Sequence, residues 1–330
     1  MPYSPYEIKN FIGINNVDEP ENLINWRYKS AGLTTGKNID VSSGGKISRR
    51  QGFTRVLEGS FHSLFDGYAV ADGMLVRLSG DPLVAEPLMS VGHRRVTFAD
   101  TGPFIYASNE VSVWRINGSN VVEVAAQGSY SLSDALSTDG LYDGIPPAKI
   151  LSFGFGRLWA VTDVGIFYSQ PYEFENFNLE SDYIDFPSCT GITFVDNGMY
   201  LGSKKDVLYL NGGNPNSVMQ TSTVSTAGCF FGSMIEVNSE DFSLDERVAA
   251  SGKGAIWESS SGKVLGLSGG TVLYLTKDKF VNTVSDSQAA SFVKNTKGQK
   301  QHISSFYGEG SGMSASDTAS AEVIRNGQPI

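Results

Sequence analysis

Only two of the 330 residues are cysteine, Cys189 and Cys229, and neither sits in a Cys-x-x-Cys or Cys/His spacing. A disulfide framework is therefore excluded, and synthesis in a reducing cytoplasm is the simplest expectation. Histidine is also scarce: His62, His93 and His302 stand far apart in the chain, so a His-rich zinc site is not expected. No 18-residue apolar run exists to cross a bilayer as a helix. The start Met1-Pro-Tyr-Ser-Pro lacks a basic stretch followed by an apolar one, so no secretory leader is expected. Basic residues are in deficit, with 25 Lys and Arg against 35 Asp and Glu, a net charge of −10. Such acidity argues against gripping phosphate backbones, which requires Lys and Arg to displace counterions. It suits a protein that nucleic acid passes without sticking.

What is present is enough apolar material for a core: 40% of the residues are hydrophobic. Glycine is abundant at 37 residues, and helical periodicity is scarce. Short runs of Val, Ile, Leu and aromatics alternate with Gly, Asp or Asn, as in strands joined by tight turns. Residues 61–89 show it, with turns at Asp66-Gly67 and Asp72-Gly73. The pattern returns at Arg95–Phe98, Phe104–Ala107 and Val111–Ile116, closed by Asn117-Gly118. It returns again at 149–168, at 190–210 and at 248–267. The third-strand starts Gly73, Glu110, Gly165 and Asp206 are 37, 55 and 41 residues apart. Multi-stranded repeats of this length predict an all-β chain, an irregular β-propeller of about five or six blades with extended N- and C-terminal segments. The expected organisation is an N-terminal extended segment over 1–60, the propeller over 61–294, and a Gly/Ser-rich C-terminal segment over 295–330. Ser131–Leu136, inside the inter-blade loop 127–147, has the composition of a short helix.

The chemistry-bearing residue patterns read as turns and rims. Gly32-Leu-Thr-Thr-Gly36-Lys37-Asn38 is one residue short of a phosphate-binding loop and lacks its hydroxyl ligand. No Gly-x-Ser-x-Gly elbow occurs. Ser-x-x-Lys appears at Ser43–Lys46 and Ser260–Lys263, both glycine turns where that spacing arises easily. The acidic groups Glu173/Glu175, Glu180/Asp182/Asp185 and Glu240/Asp241/Asp245/Glu246 lie in polar loops and read as a solvated rim rather than a glycosidase pair. Around Asp163 an aspartate-box pattern lacks its upstream hydroxyl, since Val161 stands there. Asp134, Asp139 and Asp143 are too widely spaced for an EF-hand loop. The sequon at Asn117 reads as a hairpin turn. Arg49-Arg50 and Arg94-Arg95 suit a subunit contact or a structural ion pair. No catalytic residue, cofactor or metal is expected from these patterns.

The N-terminal layout carries the most information. Phe11-Ile-Gly-Ile-Asn15-Asn16 is followed by Gly36-Lys-Asn-Ile-Asp-Val41 and Gly44-Gly-Lys-Ile-Ser-Arg49-Arg50-Gln-Gly52-Phe53. This string resembles the opening of tail hub and nozzle proteins of short-tailed bacteriophages, with Gln51 in place of the usual proline. Gly165-Ile-Phe-Tyr-Ser-Gln-Pro171 with Tyr183-Ile-Asp-Phe186, then Gly198–Lys204 and Tyr209–Gly213, are similar to blades of that family. Ser314–Arg325 has counterparts there too. The resemblance implies a non-enzymatic virion component made in the host cytoplasm, a homo-oligomeric ring of about six copies. Such a ring lies below the portal and adaptor, carries fibre or spike proteins, and conducts viral DNA without sequence-specific binding. Trp26, Arg27, Tyr28, Arg49 and Arg50 are the residues expected to contact a partner; closing the propeller within one chain is the other role open to them. A host-surface or tail-protein binding propeller, and a glycan-processing propeller enzyme, are the competing readings.

Overall fold

A computed structural model describes residues 10–14, 23–25, 30–33, 39–41, 47–49, 56–124, 143–213, 215, 220–242, 251–276, 288–296, 299–307, 321–325 and 328–329. Among the described residues the chain is all-β, as the repeats require. Five four-stranded antiparallel meanders follow one another in chain order, each a blade of the kind from which β-propellers are built. The first runs over 61–90, the second over 97–124, the third over 150–177, the fourth over 191–225 and the fifth over 235–274. A sixth four-stranded sheet is built from Gln288–Thr296, Gln299–Tyr307, Ala321–Arg325 and Gln328–Pro329. Thus the segment after 294, expected to be a Gly/Ser-rich extension, contributes three of the four strands of a sheet. The third sheet gains a fifth member, Tyr183–Ile184, paired to Ile166–Gln170.

The chain divides into two compact units, Phe53–Cys189 and the pairing of Met1–Gly52 with Thr190–Ile330. The division falls inside the 61–294 stretch. The first unit holds sheets one to three. The second holds the N-terminal strands and sheets four to six. There, Asn10–Ile14 pairs in parallel with Ser30–Leu33, Ile24–Asn25 pairs with the other side of Ser30–Leu33, and Ile39–Val41 pairs with Ile47–Arg49. The strand Asn10–Ile14 also lies beside Gln328–Pro329. Trp26, Arg27, Tyr28, Arg50 and the helix expected at 131–136 lie outside the described residues.

Turn chemistry fixes the hairpins. Asp66-Gly67 and Asp72-Gly73 all have positive φ, between 41° and 79°, and join the first three strands of sheet one. Two consecutive left-handed residues give the turn twist that matches strand twist, which is why Asp-Gly recurs there. Asn117 pairs with Asn120 across Gly118, so the sequon is a hairpin turn as expected.

The core lies between adjacent sheets, packed face to face. Tyr68, Val70 and Leu75 of sheet one meet Ala107, Trp114 and Ile116 of sheet two. Tyr106 and Val113 of sheet two meet Leu158, Ala160 and Phe177 of sheet three. In the other unit, Val195, Tyr200 and Val207 of sheet four meet Ala255, Trp257 and Val264 of sheet five. Arg157–Val161, Gly198–Gly202 and Gly262–Gly266 are buried at every position, having neighbours on both faces. Close approach is enforced at Gly198, where a Cβ would sit 2.2 Å from the Leu210 carbonyl oxygen.

Trp257 is fully buried and packs against Tyr200, ring centroids 5.5 Å apart and the planes tilted by 40°. Trp257→Ala is expected to cost about 3–5 kcal/mol in urea denaturation, because the closely packed sheets cannot collapse around the lost ring. Val164→Ala, on an exposed turn, is expected to stay within about 0.5 kcal/mol.

Candidate functional site

The densest group of chemistry-bearing side chains among the described residues lies in the Thr190–Ile330 part of the second unit, where sheets five and six meet. It begins with a tight hairpin. Lys253–Ser259 and Gly262–Gly266 are joined through Ser260-Ser261, and the register sets Glu258 directly opposite Lys263. The Ser259 hydroxyl shapes the turn by donating to the Gly262 carbonyl at 2.7 Å and accepting from the Ser261 N–H at 3.2 Å. Cross-strand partners point to the same face, so the carboxylate and the ammonium emerge side by side.

That face is covered by sheet six. Strand alternation along Gln299–Tyr307 sends His302, Ser304 and Phe306 to one side, and all three are buried. The Lys263 Nζ donates to Glu258 Oε1, to His302 Nδ1 at 3.2 Å and to the Ser304 hydroxyl at 3.1 Å. Ser304 shares a further bond of 3.0 Å with Ser291 on Gln288–Thr296. Neither Glu258 nor Lys263 has any side-chain exposure. Around this node, Phe306 packs edge-on against Phe230 at 5.9 Å, Lys300 pairs with Asp241 at 2.6 Å, and Val293 packs against the apolar cluster that includes Val237, Ile256 and Leu265.

Facing an ammonium, which can only donate, His302 Nδ1 offers its lone pair, and the neutral ring then carries its proton on Nε2. Neither that Nε2 nor Glu258 Oε2 has a hydrogen-bond partner among the described residues. Burial, and then the Lys263 charge, hold the His302 pKa well below the ordinary imidazole value. Close by, burial pushes the Cys229 thiol up to about 12, with the Glu258 charge adding to the effect. That thiol is therefore a packed, unreactive group. The chemistry of the node is that of a sealed charge: it pins strands together and presents no nucleophile to solvent.

Elsewhere the sequence candidates resolve into structural contacts. In the Ser-x-x-Lys motif at Ser260–Lys263, the Ser260 hydroxyl donates to the Ala227 carbonyl at 2.9 Å while Lys263 is buried on Glu258, so the two form no dyad. Of the acidic groups, Glu175 accepts from Tyr106 at 3.0 Å and from Arg115 at 2.7 Å, and Glu173 accepts from Asn176. Asp182 is buried and accepts from Gln170, Asp163 pairs with Lys149, and Asp241 with Lys300. The acidic positions are thus strand ties as much as a solvated rim. Arg94 pairs with Glu110 at 3.3 Å on the surface, one of the two roles open to that doublet. Arg49 is exposed at the end of Ile47–Arg49. His62 and His93, distant in sequence, come within electrostatic reach: burial, then His93 and Arg95, lower the His62 pKa. Among the described residues no group of three or more metal-ligating side chains is assembled, and no helix is long and apolar enough to cross a membrane.

No family model matches the chain, and no curated protein matches it. Similar solved structures include the extracellular domain of a hybrid two-component system protein from B. thetaiotaomicron, at 12% identity and a TM-score of 0.37, covering 70% of this chain and 32% of that one. PorZ, a surface component of the type-IX secretion system of Porphyromonas gingivalis, is 11% identical with a TM-score of 0.36, covering 80% and 37%. AztD from Citrobacter koseri is 9% identical with a TM-score of 0.35, covering 86% and 89%. The chain thus spans about a third of the first two proteins. At TM-scores of 0.35 to 0.37 these likenesses carry no argument about activity or partners.

The node makes a sharp energetic prediction. Lys263→Met alone strands the Glu258 carboxylate in the core and is expected to cost about 3–5 kcal/mol in urea denaturation. Combining it with Glu258→Leu removes both charges and is expected to recover most of that loss. A single substitution costing under about 1 kcal/mol would show that water reaches the pair.

Proposed function

We propose that this chain is a structural component of a bacteriophage virion tail, a hub or nozzle ring placed below the portal and adaptor and lining part of the DNA ejection channel. The observation that carries the reading is the N-terminal string of Gly, Asn and Arg positions from Phe11 to Phe53, followed by a run of blade sheets. Strands at Asn10–Ile14, Ser30–Leu33, Ile39–Val41 and Ile47–Arg49 are compatible with such a segment. An exposed Arg49 is compatible with a contact to a neighbouring subunit. Trp26, Arg27, Tyr28 and Arg50 are assigned to the same contact from the sequence string alone.

In this reading the protein is not an enzyme and carries no cofactor. It acts through stiffness, because stacked sheets with buried inner strands make rigid wedges, and about six wedges close a ring. Fibre or spike proteins attach outside and viral DNA passes inside. A net charge of −10 favours passage over adhesion, since DNA phosphates are repelled rather than neutralised. The virion is the expected location.

Purified particles provide the test. The protein is expected to co-sediment with virions and to form a ring of defined rotational symmetry in electron micrographs. Arg49→Glu is expected to shift the purified protein from ring toward monomer in analytical ultracentrifugation. A stable monomer absent from virions would overturn the assignment.

A further inference from the structure

We propose that the Glu258–Lys263–His302 node is a pH-sensitive latch, which holds the strands Gln288–Thr296 and Gln299–Tyr307 on sheet five while His302 is neutral and releases them when the imidazole takes up a proton. The inference stands on the node's geometry and is independent of the tail assignment.

Among the described residues the Lys263 ammonium meets His302 and Ser304, which belong to Gln299–Tyr307, and Glu258, which belongs to the hairpin of Lys263 itself. The latch is thus a cation offered by one sheet and gripped by another. Protonation changes His302 Nδ1 from acceptor to donor while it faces an ammonium 3.2 Å away. One hydrogen bond becomes a clash of donors, and two positive charges meet where neither reaches water.

The charges around the node are few among the described residues, and one of them, Glu258 Oε2, has no hydrogen-bond partner there. From sheet five, the facing charges are Lys263 and Glu258, and Glu258 Oε1 is already bound to Lys263. On the strand of His302, Lys300 is paired with Asp241 at 2.6 Å. Across the hairpin, the uncharged Val293 stands opposite His302, and Lys294 stands opposite Gln301. On Ala321–Arg325, Ile324 is in register with His302, Glu322 with Ser304 and Arg325 with Gln301. Below the carboxylate lies Cys229, whose thiol stays protonated. Protonating Glu258 would also break its bond to Lys263, so the test must separate the two groups.

The sign follows from linkage. The docked His302 has a lowered pKa, so docking is at full strength above about pH 6.5, the value of a free imidazole. Below that pH the released strand takes up a proton that the docked strand refuses. The opening equilibrium then rises about tenfold per pH unit until the docked pKa is reached.

Amide hydrogen exchange on the full chain at pH 7.5, 6.5 and 5.5 reads this directly, with rates corrected to protection factors. Protection over Gln299–Tyr307 is expected to hold from pH 7.5 to 6.5 and to fall about tenfold by pH 5.5, while Arg157–Val161 in the other unit keeps its protection. His302→Asn places a carboxamide oxygen the same number of bonds from Cα as Nδ1, yet does not titrate, so it is expected to abolish the step. His302→Gln is a second non-titrating variant should the first fail to fold. Flat protection in the wild type would overturn the latch. So would equal loss at Arg157–Val161, or a step that survives in the non-titrating variant.

Discussion

A lysine ammonium shut away from water is tolerable only if each of its hydrogens finds an acceptor, and that requirement determines how the C-terminal strands sit on sheet five. Desolvating the charge costs several kcal/mol, which the Glu258 carboxylate offsets only in part. His302 and Ser304 supply what is missing. The register of Gln299–Tyr307 follows, because a slip by one residue either way would turn Ile303 inward and leave Lys263 short of an acceptor. Phe306 against Phe230 and Lys300 against Asp241 agree with the same register. Apolar packing alone would tolerate sliding; the charge does not.

The rest of the fold depends on burial from two sides. Inner strands such as Arg157–Val161 and Gly198–Gly202 lie between neighbouring sheets, so they read in the sequence as nearly unbroken apolar runs. That is why they were legible, along with the Asp-Gly turns. The fourth strand of each blade was not. Val84–Ser90, Asn120–Val124 and Gln220–Ser225 are largely exposed, and a run such as Gln-Thr-Ser-Thr carries no hydrophobic signal. Ile235–Asn238 was missed for a related reason: its partner strand begins only at Lys253, and the anticipated strand at 248–251 precedes it.

The node itself was hidden. Lys263 follows Gly262 in a Ser/Gly turn, a context in which a lysine ordinarily points to solvent. His302 stands in a Lys- and Gln-rich stretch that reads as a tail. Only the pairing of Gln288–Thr296 with Gln299–Tyr307 gives that stretch an inner face. Gln301-His-Ile-Ser-Ser-Phe306 shows no apolar/polar alternation to reveal it, since Ile303 and Phe306 fall on opposite faces of the strand. The acidic surface, by contrast, was legible from composition, although several of its carboxylates serve as ties between strands. The proposed tail role rests on the N-terminal string, with the run of blade sheets behind it.

The central claim is that His302 is neutral and bonds to the Lys263 ammonium through Nδ1. Nitrogen-15 NMR of the imidazole at pH 7.5 tests it most directly. The account predicts a neutral ring with its proton on Nε2 and a coupling that links Nδ1 to the Lys263 ammonium. A ring carrying its proton on Nδ1, or an imidazolium at that pH, would contradict it.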